Sequence, residues 1–139
     1  MSITKANILS LSDQGLRELT GLSPEIKADR DLVLKLVHRM GVLLIYLDAY
    51  KTDREVVIAA VTSYGSALQF APQFRDDKEV VSIALKSPNT GMGLAFASPG
   101  LRNNKAFLQQ CITQENTHCI EEYASRELPT SYEDWHYKQ

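Results

Sequence analysis

From Asp53 onward the apolar residues come in pairs at helical spacing: Val56-Val57, then Ala60-Val61, after the polar opening Asp53-Arg54-Glu55. Pairs four residues apart make one stripe on a helix of 3.6 residues per turn. Asp53 can cap the free N–H groups, and Glu55 lies near the positive end of the helix dipole. The pattern predicts a helix from Asp53 that Gly65 ends. A shorter helix over Ala67-Leu68-Gln69-Phe70-Ala71 then stops at Pro72.

The same pattern occurs on both sides of this stretch. An apolar residue, a Lys or Arg, any residue, and then Asp or Asn recur as Ile26-Lys27-Ala28-Asp29, Tyr50-Lys51-Thr52-Asp53, Phe74-Arg75-Asp76-Asp77 and Leu101-Arg102-Asn103-Asn104. The cap positions Asp29, Asp53, Asp77 and Asn104 lie 24, 24 and 27 residues apart. After them come Leu32-Val33 with Leu36-Val37, Val56-Val57 with Ala60-Val61, Val80-Val81 with Ala84-Leu85, and Phe107-Leu108 with Cys111-Ile112. Sustained alternation at period two is absent, so the expected fold is all-α. A pair of helices in 24 residues cannot bury its stripe alone. Tandem helix-turn-helix repeats are therefore expected to stack into a small solenoid-like array or a compact helical bundle.

The ends depart from this repeat. Leu22-Ser23-Pro24 parallels Ala97-Ser98-Pro99, so the chain is expected to open partway through a unit. Before it, Ile8, Leu9, Leu11, Leu16 and Leu19 are expected to supply one or two capping helices, with Ser12 or Asp13 as a cap. The third unit has a longer turn containing Pro88, Asn89, Gly91 and Gly93, and the fourth loses the pattern after Ile112. Residues 1–128 are expected to form one domain, with 129–139 as a tail in which Ser131 and Asp134 could open a short helix.

Composition narrows the function classes. A chain of 139 residues with 44% hydrophobic content suits one domain with a real core. Its formal charge of −2, with acidic and basic residues interspersed, offers no basic stripe for nucleic acid and no polybasic run for a lipid surface. Neither a membrane span nor a Sec signal is evident, so a cytoplasmic protein, or one delivered into a host without such a signal, is expected. Two cysteines, Cys111 and Cys119, do not make a disulfide framework, and reduced thiols are the simpler reading.

Candidate chemistry is sparse. Cys111, His118 and Cys119 could form a nucleophile with its base or part of a zinc site, but Cys111 occupies the core position of Leu36, Ala60 and Ala84. The other histidines, His38 and His136, fall in different units, and His38 is expected at the surface. Glu121 and Glu122 are adjacent and would point apart on a helix. Gly91-Met92-Gly93 lacks the strand and third glycine of a phosphate loop. No catalytic residue, cofactor or metal is expected. In the tail, Tyr132, Trp135 and Tyr137 place three aromatic side chains in six residues, either to cover the last unit or to anchor a partner.

Over Asp53-Arg54-Glu55-Val56-Val57-Ile58-Ala59-Ala60-Val61, with Gly65, Ala67–Ala71 and Phe74-Arg75-Asp76-Asp77, the chain resembles a helical-repeat family catalogued as domain of unknown function 4116. The resemblance is closest over residues 53–102 and weaker from about Leu22 to Leu128. It implies a helical-repeat fold and a tilt towards a bacterial effector, or a small protein that restrains one, and it carries no catalytic residue. The expected role is a non-enzymatic protein–protein interaction module, a regulator or inhibitor of an effector enzyme. The alternatives are a thiol-dependent enzyme using Cys111 or Cys119, and a structural module that associates with a second copy.

Overall fold

Four helices start where an acidic or amide side chain can satisfy their first free N–H groups. A computed structural model describes residues 3–87, 93–111 and 113. Asp29 Oδ1 accepts from the N–H of Leu32 at 3.1 Å, Asp53 Oδ1 from Val56 at 3.4 Å, Asp77 Oδ1 from Val80 at 3.1 Å, and Asn104 Oδ1 from Phe107 at 3.0 Å. Serine hydroxyls do the same for three shorter helices, with Ser12, Ser23 and Ser98 accepting from Gly15, Ile26 and Leu101. Pro24 and Pro99 stand directly after two of these serines, where a missing N–H costs nothing.

The α-helices in chain order are α1 (Asp13–Arg17), α2 (Pro24–Ala28), α3 (Arg30–Arg39), α4 (Arg54–Ser63), α5 (Lys78–Lys86), α6 (Pro99–Arg102) and α7 (Lys105–Cys111). No strand occurs among the described residues. The paired apolar residues of α3, α4 and α5 are all buried, and so are Phe107, Leu108 and Cys111 of α7. Ile112 lies outside the described residues. Val56, Val57, Ala60, Val61, Val80, Val81 and Ala84 are fully shielded from water. Each buried valine contributes about 1.5–3 kcal/mol of transfer free energy. Hence the stripes rather than helix propensity hold these short helices in place.

The segments after α3 and α4, expected as short α-helices, differ from expectation. Gly65–Phe70 and Pro72–Phe74 are 3-10 helices, as are Gly41–Tyr46 and Asp48–Tyr50. Proline is not what divides each pair. Ala71, before Pro72, has φ −125° and ψ 69°, and Leu47, before Asp48, adopts nearly the same φ −118° and ψ 56°. Both residues are buried, so the chain bends to bring that side chain into the core. A six-residue run recovers little of the cost of nucleating an α-helix, and the 3-10 form spans more length per residue.

Neighbouring α-helices pack in chain order, α3 on α4, α4 on α5 and α5 on α7. Among the 3-10 helices, Gly41–Tyr46 packs on Gly65–Phe70, and that segment packs on Leu94–Phe96. The first segment also touches α4 and the second α5, so each 3-10 helix fills the groove between its own α-helix and the next. The glycines serve this contact. No glycine among the described residues has a positive φ, and Met40 and Tyr64 end α3 and α4 in extended conformation. A Cβ on Gly41 would lie 2.0 Å from the carbonyl oxygen of Ala60, and one on Gly65 would lie 2.4 Å from that of Ala84. Close approach to the next helix excludes a side chain there.

Upstream residues cover the α3 end. Ile8 and Leu16 are fully buried, Leu11 and Leu19 are half-buried, and Leu9 faces solvent instead of joining the cover. Only α1 and a 3-10 turn over Ile8–Ser10 are regular in this stretch. Arg39 fastens it by donating to Asp13 Oδ1 at 3.0 Å and to the carbonyls of Leu9 and Leu11 at 3.2 and 2.6 Å. The Tyr46 hydroxyl donates to the Leu19 carbonyl at 2.9 Å. Among the described residues no helix is long and apolar enough to cross a membrane.

Candidate interaction surface

A helix that buries Val33, Leu36 and Val37 turns its other side outward, and α3 there carries Leu34, Lys35 and His38. On α4 the corresponding positions are Ile58, Ala59 and Thr62. Together with Glu55 these six line an open groove of about 470 Å³ built from α3 and α4 alone. Leu34, Ile58 and Ala59 are half-buried and form its apolar floor, whereas Lys35, His38 and Glu55 stand exposed around it. The Thr62 hydroxyl donates to the Ile58 carbonyl at 2.6 Å. A second depression of about 380 Å³ lies between α5 and α7, with Lys78, Glu79, Ser82, Lys86, Phe107, Gln110 and Cys111 around it.

Ion pairs run along one margin of this surface. Arg30 holds Asp53 through two bonds, Nε to Oδ2 at 3.0 Å and Nη2 to Oδ1 at 3.1 Å, and its Nη2 also reaches Glu55 Oε2 at 2.6 Å. Arg54, 24 residues after Arg30, meets both oxygens of Asp77 through Nη2 at 3.2 and 3.3 Å and Glu79 Oε2 at 2.6 Å. The Arg30 bond lowers the Asp53 carboxyl below its usual range, and the Val56 N–H adds to this. Both guanidiniums are raised in turn, Arg30 chiefly by Asp53 and Arg54 chiefly by Glu79. The ladder continues upstream, where Lys5 pairs with Asp29 at 2.9 Å and holds that carboxyl low. It stops downstream, because the start of α7 has Asn104 and Ala106 in place of an acidic pair.

His38 is exposed as expected, and its place on the rim of a groove was not legible from sequence spacing alone. Cys111 is 2% exposed and packs in the core, and burial pushes its thiol up despite the nearby Lys86. That shift runs opposite to the one that activates a nucleophilic cysteine. Cys119, His118, Glu121, Glu122, His136 and the aromatic trio Tyr132, Trp135 and Tyr137 lie outside the described residues, as do Pro88, Asn89, Gly91 and Met92. Among the described residues no group of three His, Cys, Asp or Glu side chains is placed to hold a metal ion.

The stretch that supplies α4, its two 3-10 helices and α5 also decides the comparison with known families. Residues 53–90 match the family described as Domain of unknown function (DUF4116). No curated protein matches the chain, and neither does any solved structure. The DUF4116 segment provides one wall of each groove, α4 to the first and α5 to the second. It also contains the complete Arg54–Asp77–Glu79 cluster.

Proposed function

We propose that this protein is a non-enzymatic interaction module that works by contact with another protein through the outer surface of α3, α4 and α5. The groove over Leu34, Ile58 and Ala59 carries this reading. It is open, floored by aliphatic side chains and rimmed by charge, a pattern that suits a protein segment better than an enclosed small molecule. In this reading each α-helix with its 3-10 helices is a copy of one 24-residue unit, supported by the equal offsets from Arg30 to Arg54 and from Gly41 to Gly65. The reading keeps residues 1–128 as one domain and 129–139 as a tail, the division expected from the sequence. Restraint of a bacterial effector enzyme is the role that the DUF4116 resemblance suggests.

Affinity capture from the native organism tests this with three forms of the chain: wild type, Ile58→Asp with its fold verified by circular dichroism, and a truncation after Leu128. A protein retained by wild type and by the truncation but lost from Ile58→Asp supports the groove. Capture that survives Ile58→Asp and disappears with the tail would move the binding surface to Tyr132, Trp135 and Tyr137.

A further inference from the structure

Charge is spread unevenly along the chain. Residues 3–74 hold eight basic and eight acidic side chains, residues 75–111 five and three, and residues 114–139 two and six. The positive excess thus stands directly before the acidic end of the chain, and in the fold it lies where the ion-pair ladder stops. Lys78 follows the cap Asp77 as Arg30 follows Asp29 and Arg54 follows Asp53, but the carboxylates it would meet on α7 are replaced by Asn104 and Ala106. Lys78, Lys86 and Lys105 are exposed, and none has a carboxylate in ion-pair contact among the described residues. With Arg54 and its partners Asp77 and Glu79 included, four cations stand against two carboxylates along α5 and the start of α7. Along α3 and the start of α4 the balance is reversed, with Arg30 and Lys35 against Asp31, Asp53 and Glu55.

We infer that residues 114–128 of this chain fold back onto the depression between α5 and α7, with the carboxylates of Glu121, Glu122 and Glu127 towards Lys78, Lys86 and Lys105. Four of the six carboxylates beyond Thr113, namely Glu115, Glu121, Glu122 and Glu127, fall in this segment with a single cation, Arg126. The segment begins three residues after Cys111, which lines the depression together with Lys78, Lys86 and Phe107. Ten residues separate Cys111 from Glu121, enough to span about 33 Å when extended, whereas packed helices lie about 8–10 Å apart. That leaves ample chain for the turn back. Because the segment is joined to α7, its effective concentration at the depression is on the order of 1 mM, so contacts too weak to hold a separate peptide keep it about half occupied or better. Ile120, Tyr123 and Leu128 add apolar area that can meet Phe107 and Cys111. The α3/α4 groove is left open, since its excess of carboxylates does not draw an acidic segment.

Carbodiimide cross-linking of the full chain tests the contact, because it joins a lysine only to a carboxylate that touches it, and mass spectrometry locates the link. An equal mixture of unlabelled and nitrogen-15-labelled chains separates links within one chain from links between two. At about 0.02 M salt, links from Glu121, Glu122 or Glu127 to Lys78, Lys86 or Lys105 should form within one chain and exceed those to Lys27 and Lys35 at least about fivefold. Their yield should fall at least about threefold at about 0.5 M salt, where the Debye length is only a few ångströms. In Glu121→Gln/Glu122→Gln/Glu127→Gln, amide resonances in 78–86 and 105–111 should shift from their wild-type positions while those in 30–39 stay. Links spread evenly over the lysines, yields that persist at high salt, or unmoved resonances in the glutamine variant would each overturn the inference. Links found only between chains would also overturn it, by giving the depression to the segment of a second copy. None of these outcomes bears on the α3/α4 groove, which the Ile58→Asp capture tests separately.

Discussion

The backbone N–H of Gly41 donates to the Oγ of Ser63 across 2.7 Å, and the Ser63 hydroxyl donates in turn to the carbonyl of Val37 at 2.9 Å. One serine near the end of α4 thus satisfies two backbone groups left over where α3 ends. The glycine-to-serine bond recurs 24 residues on, where Gly65 donates to Ser87 Oγ at 3.1 Å. Glycine is required on one side because the helices touch, and serine on the other because the touching backbone needs a partner.

Gly65→Ala should lower stability by about 1–3 kcal/mol, since its new Cβ would meet a backbone carbonyl that cannot turn aside. Gly41→Ala should cost at least as much. Gly21→Ala, whose Cβ meets nothing within 4 Å, should stay within about 0.5 kcal/mol of wild type. Urea denaturation of the three variants measures the contrast, and equal midpoints would refute the close approach.

Ser87→Ala should cost about 1–3 kcal/mol, because it leaves the buried Gly65 N–H without its acceptor. Hydrogen exchange at the Gly65 amide should quicken more than at amides in the middle of α3. An unchanged exchange rate would mean that this N–H has another acceptor.

Val61→Asp should unfold the chain or cost more than about 4 kcal/mol, as it places a carboxylate at a fully buried position in the contact between α4 and its neighbours. A wild-type melting temperature for the purified variant would show the stripe to be misplaced.

Acid should weaken the ladder. The Arg30 guanidinium holds Asp53 below the ordinary carboxylate range, so the folded chain binds that proton less readily than the unfolded chain. The resulting stability is complete above the unfolded value of about 3.9 and is lost as pH falls through the lower folded value. Asp53→Asn keeps the helix cap and removes the charge. Its melting temperature should decline less steeply than that of wild type below about pH 4. Parallel acid limbs for the two proteins would show that the pair adds no pH-dependent stability.

In a Cys119→Ser background, Cys111 should react with a thiol reagent only as fast as the chain opens, because it is 2% exposed and its thiol is raised by burial. Rapid labelling of the native protein would instead favour the thiol-dependent enzyme.

The four helix starts and the stripes behind them were legible in the sequence, because capping and amphipathic spacing act within three or four residues of chain. Asp29, Asp53, Asp77 and Asn104 all cap as their spacing predicts, and the apolar pairs that follow are buried wherever the structure describes them. Only the tertiary structure made the second elements 3-10 helices, gave the glycines their role in close contact, and joined Arg30 to Asp53 and Gly41 to Ser63. Those partners stand 23 and 22 residues apart, and the groove over Leu34 and Ile58 likewise exists only where two helices meet. Periodicity says which side of each helix is apolar. How far one helix slides along the next is set by packing, and that offset decides which side chains become neighbours.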